Sequence, residues 1–302
     1  MNDSQSLRGY LFAIGAYLMW GVFPLYWKAM DSVPAMEILA YRIACSFVFL
    51  LLFNLVLGRK EIFRYLKEPK TRLVLFITSS LISLNWGTYI WAVNAGHTVE
   101  ASLGYYINPL VNVFLGMLIF NERMTPMKTV AIVLAFSGVL YQTVGYGNFP
   151  WTAMVLAFTF AFYGLFKKKY ALDSINSLMA ETLIITPVAV GYLLFDFLSG
   201  ESGAVSAQPT VLVLLAFSGI ATSVPLYLFG EGAKRIPFSS LGFLQYIGPT
   251  IMLLIGVFFF GEDFSGDHVV SFALIWTGLA VYAFSAVKEF RKKKKKEKVS
   301  VV

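Results

Sequence analysis

The sequence predicts an all-α polytopic membrane protein: ten transmembrane helices as two inverted five-helix repeats, with both termini cytoplasmic. Three observations predict it. The 302 residues are 58% hydrophobic and 14% charged, against roughly 25% charged in a typical soluble domain. Apolar runs of near-spanning length follow one another along the whole chain. The second half repeats the first. A soluble fold of this size could not hide so much apolar surface, and the mean hydropathy of +0.70 agrees.

A membrane helix needs about 20 largely apolar residues. The runs are 10–27, 37–57, 73–94, 101–120, 127–145, 151–166, 176–195, 210–230, 238–260 and 268–287. The first follows Arg8 and lacks a small-residue cleavage site, so it reads as a retained span rather than a signal peptide. The second contains Arg42 and the seventh Glu181, the two charges expected inside spans. The third carries Asn85, Trp86 and Tyr89, and the fourth Tyr105, Asn108 and Asn112. The sixth is short, with Phe149 and Trp151 anchoring its start at the interface. The ninth carries Pro249, and the tenth runs into a basic tail. None alternates as a strand would, and none has the polar face of a soluble helix.

Orientation follows from the positive residues, which concentrate in cytoplasmic loops. With the N-terminus inside, every one of the 24 Lys and Arg falls on the inner side except Lys28 and Arg42. The tail reads KEFRKKKKKEK from Lys288 to Lys298. A cationic tail after an apolar segment sits against anionic lipid of the cytoplasmic leaflet. It therefore gives no reason to expect a nucleic-acid partner, despite the formal charge of +7.

Ser102-Leu103-Gly104 is followed by Tyr106-Ile107-Asn108-Pro109, then Gly116, Phe120 and Glu122. Ser240-Leu241-Gly242 is followed by Tyr246-Ile247-Gly248-Pro249, then Gly256, Phe260 and Glu262. The copies lie 138 residues apart before the tyrosine and 140 after it. Trp20-Gly21 against Tyr163-Gly164, Tyr89 against Tyr227, and Gly138 against Gly278 extend the match. Residues 1–148 and 149–289 are the two expected repeats, and 290–302 the tail. Five spans per repeat is odd, so the second copy enters the bilayer from the opposite side. Glu122 is then expected at the cytoplasmic face and Glu262 at the outer one. Inverted repeats of this kind build many secondary transporters, with the substrate near the midplane between the halves.

Composition also excludes chemistries. The one cysteine, Cys45, permits no internal disulfide, and two histidines, His97 and His268, do not make a multi-histidine metal site. No cofactor is expected. There is no glycine-rich lysine loop for nucleotide phosphates and no cluster of acids or nucleophile with its base inside the spans. A transporter is the favoured reading; a receptor or scaffold is the alternative, with a membrane-embedded enzyme behind both.

The stretches AYLMWGVFPLYWK (16–28), VPAMEILAYR (33–42), NWGTYIWAVN (85–94), EASLGYYINPLVNVFLGM (100–117), FAFYGLFKKK (160–169) and LGFLQYIGPT (241–250) together resemble the RarD-type permeases of the EamA group, in the drug/metabolite transporter superfamily. The resemblance runs from the first span to the tenth. It implies an inner-membrane carrier of small metabolites or drug-like molecules, acting by alternating access around a central cavity, with export the usual direction. It supplies no substrate and no oligomeric state.

Polar groups inside a bilayer mark candidate pathways, because they are costly against lipid. Tyr105, Asn108, Asn112 and Gly116 form one stripe of the fourth span. The repeat equivalent is Gln245, Gly248, Met252 and Gly256, beside Tyr246. Interhelical hydrogen bonding explains such amides as well as substrate binding does. Asn85, Trp86 and Tyr89 join from the third span, Tyr17 and Trp20 from the first, Tyr163 from the sixth, and Thr222 and Tyr227 from the eighth. The resemblance favours these spans, since the family's cavity is lined mainly by helices one, three, four, six, eight and nine. Trp27 reads as an interface anchor. Pro109 and Pro249 leave carbonyls unbonded four residues earlier and are candidate hinges, or kinks that only shape packing. Arg42 and Glu181 are the candidate coupling charges. Arg42 can snorkel outward; Glu181 is the shorter and the better protonation site.

Overall fold

The computed structural model describes residues 3–57, 65, 67–94, 98–145, 149–261 and 266–299. His97, Glu262 and the basic residues Arg59, Lys60 and Arg64 lie outside them. The described residues contain no strand. In order they form α1 (Asp3–Lys28), α2 (Ala35–Val56), α3 (Pro69–Asn94), α4 (Thr98–Phe120), α5 (Pro126–Gly145), α6 (Trp151–Tyr170), α7 (Ser174–Ser199), α8 (Pro209–Arg235), α9 (Phe238–Gln245), α10 (Ile247–Phe259) and α11 (Gly266–Val299). Prolines 69, 126 and 209 open their helices, where a missing amide hydrogen costs nothing. Asp173 caps α7, its carboxylate accepting from the Asn176 amide at 3.0 Å.

Each apolar run thus has helix over it, with two differences. The ninth is two helices, α9 and α10, broken at Tyr246. The sixth does not stop at residue 166: α6 carries Lys167, Lys168 and Lys169 in its last turn before Ala171 takes a left-handed conformation. Among the described residues, eight stretches are long and apolar enough to cross a membrane, the α9–α10 pair counting as one. The stretches that fall short are α3 and α6, at 26 and 20 residues. The first is diluted by Thr78, Ser79, Ser80, Ser83 and Asn85, the second by its lysines.

Packing pairs α1 with α8, α3 with α6, α2 with α7 and α5 with α11. The α5–α11 crossing is close because glycine stands on both sides. A Cβ at Gly138 would lie 2.7 Å from the Ser271 carbonyl oxygen, and one at Gly278 2.8 Å from that of Ala131. These contacts are reciprocal: 278 and 271 are the positions 140 residues beyond 138 and 131. The Tyr246 hydroxyl donates to the carbonyl of Tyr106, its own counterpart, at 3.1 Å. At the α2–α8 crossing a Cβ on Gly219 would overlap the Cys45 carbonyl group, and Ser46 Oγ donates to the Gly219 carbonyl at 3.2 Å.

Gly219→Ala must therefore push α8 off α2, at a cost of about 1–3 kcal/mol for an overpacked site. Thermal unfolding in detergent should show a clearly lowered midpoint. Gly191→Ala, where the new methyl meets nothing within 4 Å, should leave it unchanged or slightly raised.

Candidate substrate-binding site

The amides are tied to protein. Asn108 and Asn112 are 2% and 1% exposed. Asn108 Nδ2 donates to the Ala157 carbonyl on α6. Asn112 Nδ2 donates to Asn108 Oδ1 at 3.1 Å and to Gln245 Oε1 at 2.9 Å. The three amides bridge α4, α6 and α9. Asn85 Nδ2 likewise donates to the Leu156 carbonyl and to Thr159 Oγ1, both at 2.9 Å. The Asn112 Oδ1 atom is buried and accepts from no described group.

Below this bridge the aromatic candidates condense. Trp20 packs 5.7 Å from each of Tyr17, Phe160 and Phe229, ring centre to ring centre, and Tyr163 stacks on Phe229 at 6.2 Å. Tyr17 donates its hydroxyl to the Leu241 carbonyl at 3.2 Å. Phe160 and Phe229 complete this cluster and were not expected from the sequence; nothing but their place on the same helix faces marks them. Tyr227 stands apart, against Phe12 at 6.4 Å.

A second group gathers around Arg42. Its guanidinium lies 4.4 Å from the Trp27 ring centre and 5.4 Å from that of Trp86, and Nε donates to Thr222 Oγ1 at 3.1 Å. Cation–π contacts of this kind contribute about 0.5–2 kcal/mol each, most when desolvated. The side chain is thus held between α8 and Trp27, the penultimate residue of α1. Tyr89 and Tyr105 pack together at 6.1 Å. Tyr105 is 37% exposed although it shares a helix face with buried Asn108 and Asn112.

Glu181 meets a cation that sequence reading had assigned to a loop. Its Oε1 lies 2.7 Å from Lys167 Nζ and accepts from Thr78 Oγ1 at 2.7 Å; Oε2 accepts from the Tyr163 hydroxyl at 3.2 Å. Lys167 also donates to Ser177 Oγ at 3.0 Å. Both charges are buried. The signal was available: only residues 171–173 separate α6 from α7, so a lysine in the last turn of one lies near the opening turns of the other. A cavity of about 10 Å³, bounded by Thr78, Lys167, Ser177 and Glu181 among others, adjoins the pair. That is room for about one water. Pro109 lies inside continuous α4, whereas Pro249 is the third residue of α10, just past the break. No group of three or more potential metal ligands occurs among the described residues.

Profile comparison decides the family. The EamA-like transporter family matches twice, over residues 7–143 and 150–284. The chain belongs to that family. Its relatives are of the RarD type: it is 42% identical to "Protein RarD" of Escherichia coli (strain K12), over 95% of this chain and 97% of that protein. It is 46% identical to "Uncharacterized transporter YojE" of Bacillus subtilis (strain 168), over 95% of this chain and 97% of the other. A crystal structure of a more distant protein, 21% identical, superposes with a TM-score of 0.70 over 92% of this chain and 96% of its own; that likeness concerns the fold alone. This EamA member is a multi-pass inner-membrane transporter and not an enzyme.

Removing one partner of a buried ion pair leaves an uncompensated charge, at a cost of about 3–5 kcal/mol. Lys167→Met should lower the detergent unfolding midpoint strongly. Lys167→Met with Glu181→Gln should recover most of the loss, because the remaining amide still bonds Thr78 and Tyr163. Equal loss in the single and double variants would show that the pair is not coupled.

Proposed function

We propose that this transporter is a ten-span secondary exporter of small metabolites or drug-like molecules, working by alternating access between two inverted five-helix repeats. The repeats are residues 1–148 and 149–289, with both termini and the basic 290–302 tail on the cytoplasmic side. The observation that carries the reading is the reciprocal contact set: Gly138 with Ser271, Gly278 with Ala131, and Tyr246 with Tyr106. Equivalent residues meeting equivalent residues is what a two-fold axis requires, and related halves of opposite orientation can exchange roles as inward- and outward-facing parts. The double family match supports the same division. On this reading α3 and α6 also span, their polar groups turned to protein: Asn85 bonds α6, and Lys167 bonds Glu181.

Substrate passes between the Arg42 group and the aromatic cluster, and the fourth and ninth spans bend near Pro109 and Pro249. The Lys167–Glu181 pair and its water-sized cavity support proton coupling. A proton on Glu181 breaks the pair, and returning it re-forms the pair as the halves rock. Uptake into sealed proteoliposomes, with and without a pH gradient, tests the whole. Glu181→Gln should abolish accumulation driven by the gradient while sparing exchange at equilibrium. Undiminished accumulation by that variant sinks the coupling role; no transport by the parent favours a receptor or scaffold.

The topology is tested separately in a Cys45→Ala background. A membrane-impermeant thiol reagent should reach Val205→Cys, between α7 and α8, in intact cells. Tyr170→Cys, at the end of α6, should react only after permeabilisation. Both residues are exposed, so reagent access rather than burial decides the result.

A further inference from the structure

We propose that Arg42 is the anion-recognition point of the substrate path, and that this transporter takes small organic anions carrying a flat apolar body. The inference rests on the transport reading above and adds to it the chemical class of the cargo.

Four observations meet at this residue. First, Arg42 lies seven residues into α2, about 10 Å along the helix at its rise per residue, with its guanidinium between the rings of Trp27 and Trp86. Second, it has no acidic partner among the described residues. The nearby carboxylates are engaged elsewhere: Glu37 accepts from Ser202 Oγ at 2.6 Å and from the Gly203 amide at 2.8 Å, and Asp31 pairs with Lys28 at 3.3 Å. The phenols of Tyr26, Tyr89 and Tyr105 are the groups within electrostatic reach. By contrast Lys167, a more deeply buried cation, has Glu181.

Third, only Nε is committed, to Thr222 Oγ1, which leaves the two terminal nitrogens as a planar fork. That fork matches the two oxygens of a carboxylate. Fourth, the walls are flat rings, Trp27 and Trp86 beside the guanidinium with Tyr89 and Tyr105 adjoining. Tyr105 is substantially exposed although Asn108 and Asn112 on the same face of α4 are buried, so its ring borders an opening in the packing. A partly buried charge without a counter-ion loses hydration that nothing replaces until something supplies one. In a carrier, the thing that enters that opening is cargo. Neutral or cationic cargo would leave Arg42 as it is or repel it; an anion completes it.

The test is binding to the purified full-length protein in neutral detergent, read by tryptophan fluorescence and thermal shift. Three probes share one ring: phenylacetate, its neutral amide phenylacetamide, and the cation phenethylamine. Phenylacetate should bind at least ten-fold more tightly than either. Arg42→Gln should erase that preference in a protein that still unfolds cooperatively, its unliganded midpoint lowered only modestly by the lost ring contacts. Arg42→Lys should keep the preference for the anion but weaken binding, since an ammonium lacks the fork. Equal binding of the three probes, no binding of phenylacetate, or a preference that survives Arg42→Gln overturns the proposal. An anionic lipid headgroup is the other source of the same chemistry. If phosphatidylglycerol gives an Arg42-dependent thermal shift and phenylacetate does not, the site belongs to lipid and the cargo assignment is wrong. Failure is separable from that of the transport reading. Arg42-dependent phenylacetate binding in a protein that moves nothing across proteoliposomes would sink transport and leave the anion site. Transport with unselective binding would do the reverse.

Discussion

A polar side chain surrounded by hydrocarbon has only protein to bond to, and this constraint decides which helices of the molecule meet. Asn112, Asn108 and Gln245 draw α4, α6 and α9 onto one point. Asn85 fastens α3 to α6, and Glu181 joins α7 to α3 and α6 through Thr78, Lys167 and Tyr163. Apolar packing alone would not select these neighbours, because a leucine side chain finds lipid tails as congenial as other leucines. The amides and ions supply the choice; the small residues then let the backbones come close enough to make it. Gly138, Gly278 and Gly219 stand where a methyl group would strike a neighbouring carbonyl.

The same rule governs the helix ends. The first amides of a helix have no partner within it and attract a carboxylate. Glu122 takes this role for α9: it accepts from the Phe238 amide at 2.6 Å, from the Ser239 amide at 2.9 Å and from Ser239 Oγ at 2.6 Å. It thereby fastens the end of α4 to the start of the ninth span. Glu37 does the like for the short turn Ala204–Ser206, holding the α7–α8 connection to the beginning of α2. With the topology proposed above, one clasp lies on each side of the membrane, and each ties one half of the chain to the other. Alternating access would have to open them in turn, so their strength bears on which state is favoured.

Helix positions were legible because hydropathy is a property of single stretches. The apolar runs at 37–57 and 127–145 differ from α2 and α5 by at most two residues at either end. What joins distant stretches was not. Lys167 was read as a loop cation since the apolar run stops before it, yet a helix ends where its backbone bonds end, and α6 has three more residues to go beyond it. Its long stem lies along protein while its ammonium reaches Glu181. Trp27 is a comparable case of a contact that sequence does not show. Its position near the end of α1 is legible in sequence, and its contact with Arg42 on another helix is not. The choice between binding cargo and bonding helices, open for each amide in the sequence, is narrowed by geometry. Asn108 and Asn112 spend their amide hydrogens on protein, and Tyr105, one turn away, faces open space.

Equivalent prolines with unequal backbones are the clearest departure from symmetry. Both Pro109 and Pro249 withhold an amide hydrogen and crowd the preceding residue away from helical geometry. At Pro109 the preceding residue is Asn108, whose side chain is bonded to the Ala157 carbonyl on α6 and to Asn112 one turn on; α4 runs through unbroken. At Pro249 the preceding residue is Gly248, with no side chain to tether and the poorest helix propensity but proline itself. Its surroundings are loose as well: an added Cβ would meet only the Tyr17 carbonyl oxygen, at 3.6 Å. There the helix breaks at Tyr246. The break leaves Gln245 at the end of α9, held by Asn112, and Tyr246 bonded to Tyr106, so the joint is pinned on its α9 side while α10 begins afresh. A bend shared equally between the halves would need a glycine at 108 or a tethered side chain at 248. As the chain stands, helix runs unbroken through Pro109 in the fourth span and is interrupted at Tyr246 in the ninth, where the backbone keeps a right-handed conformation.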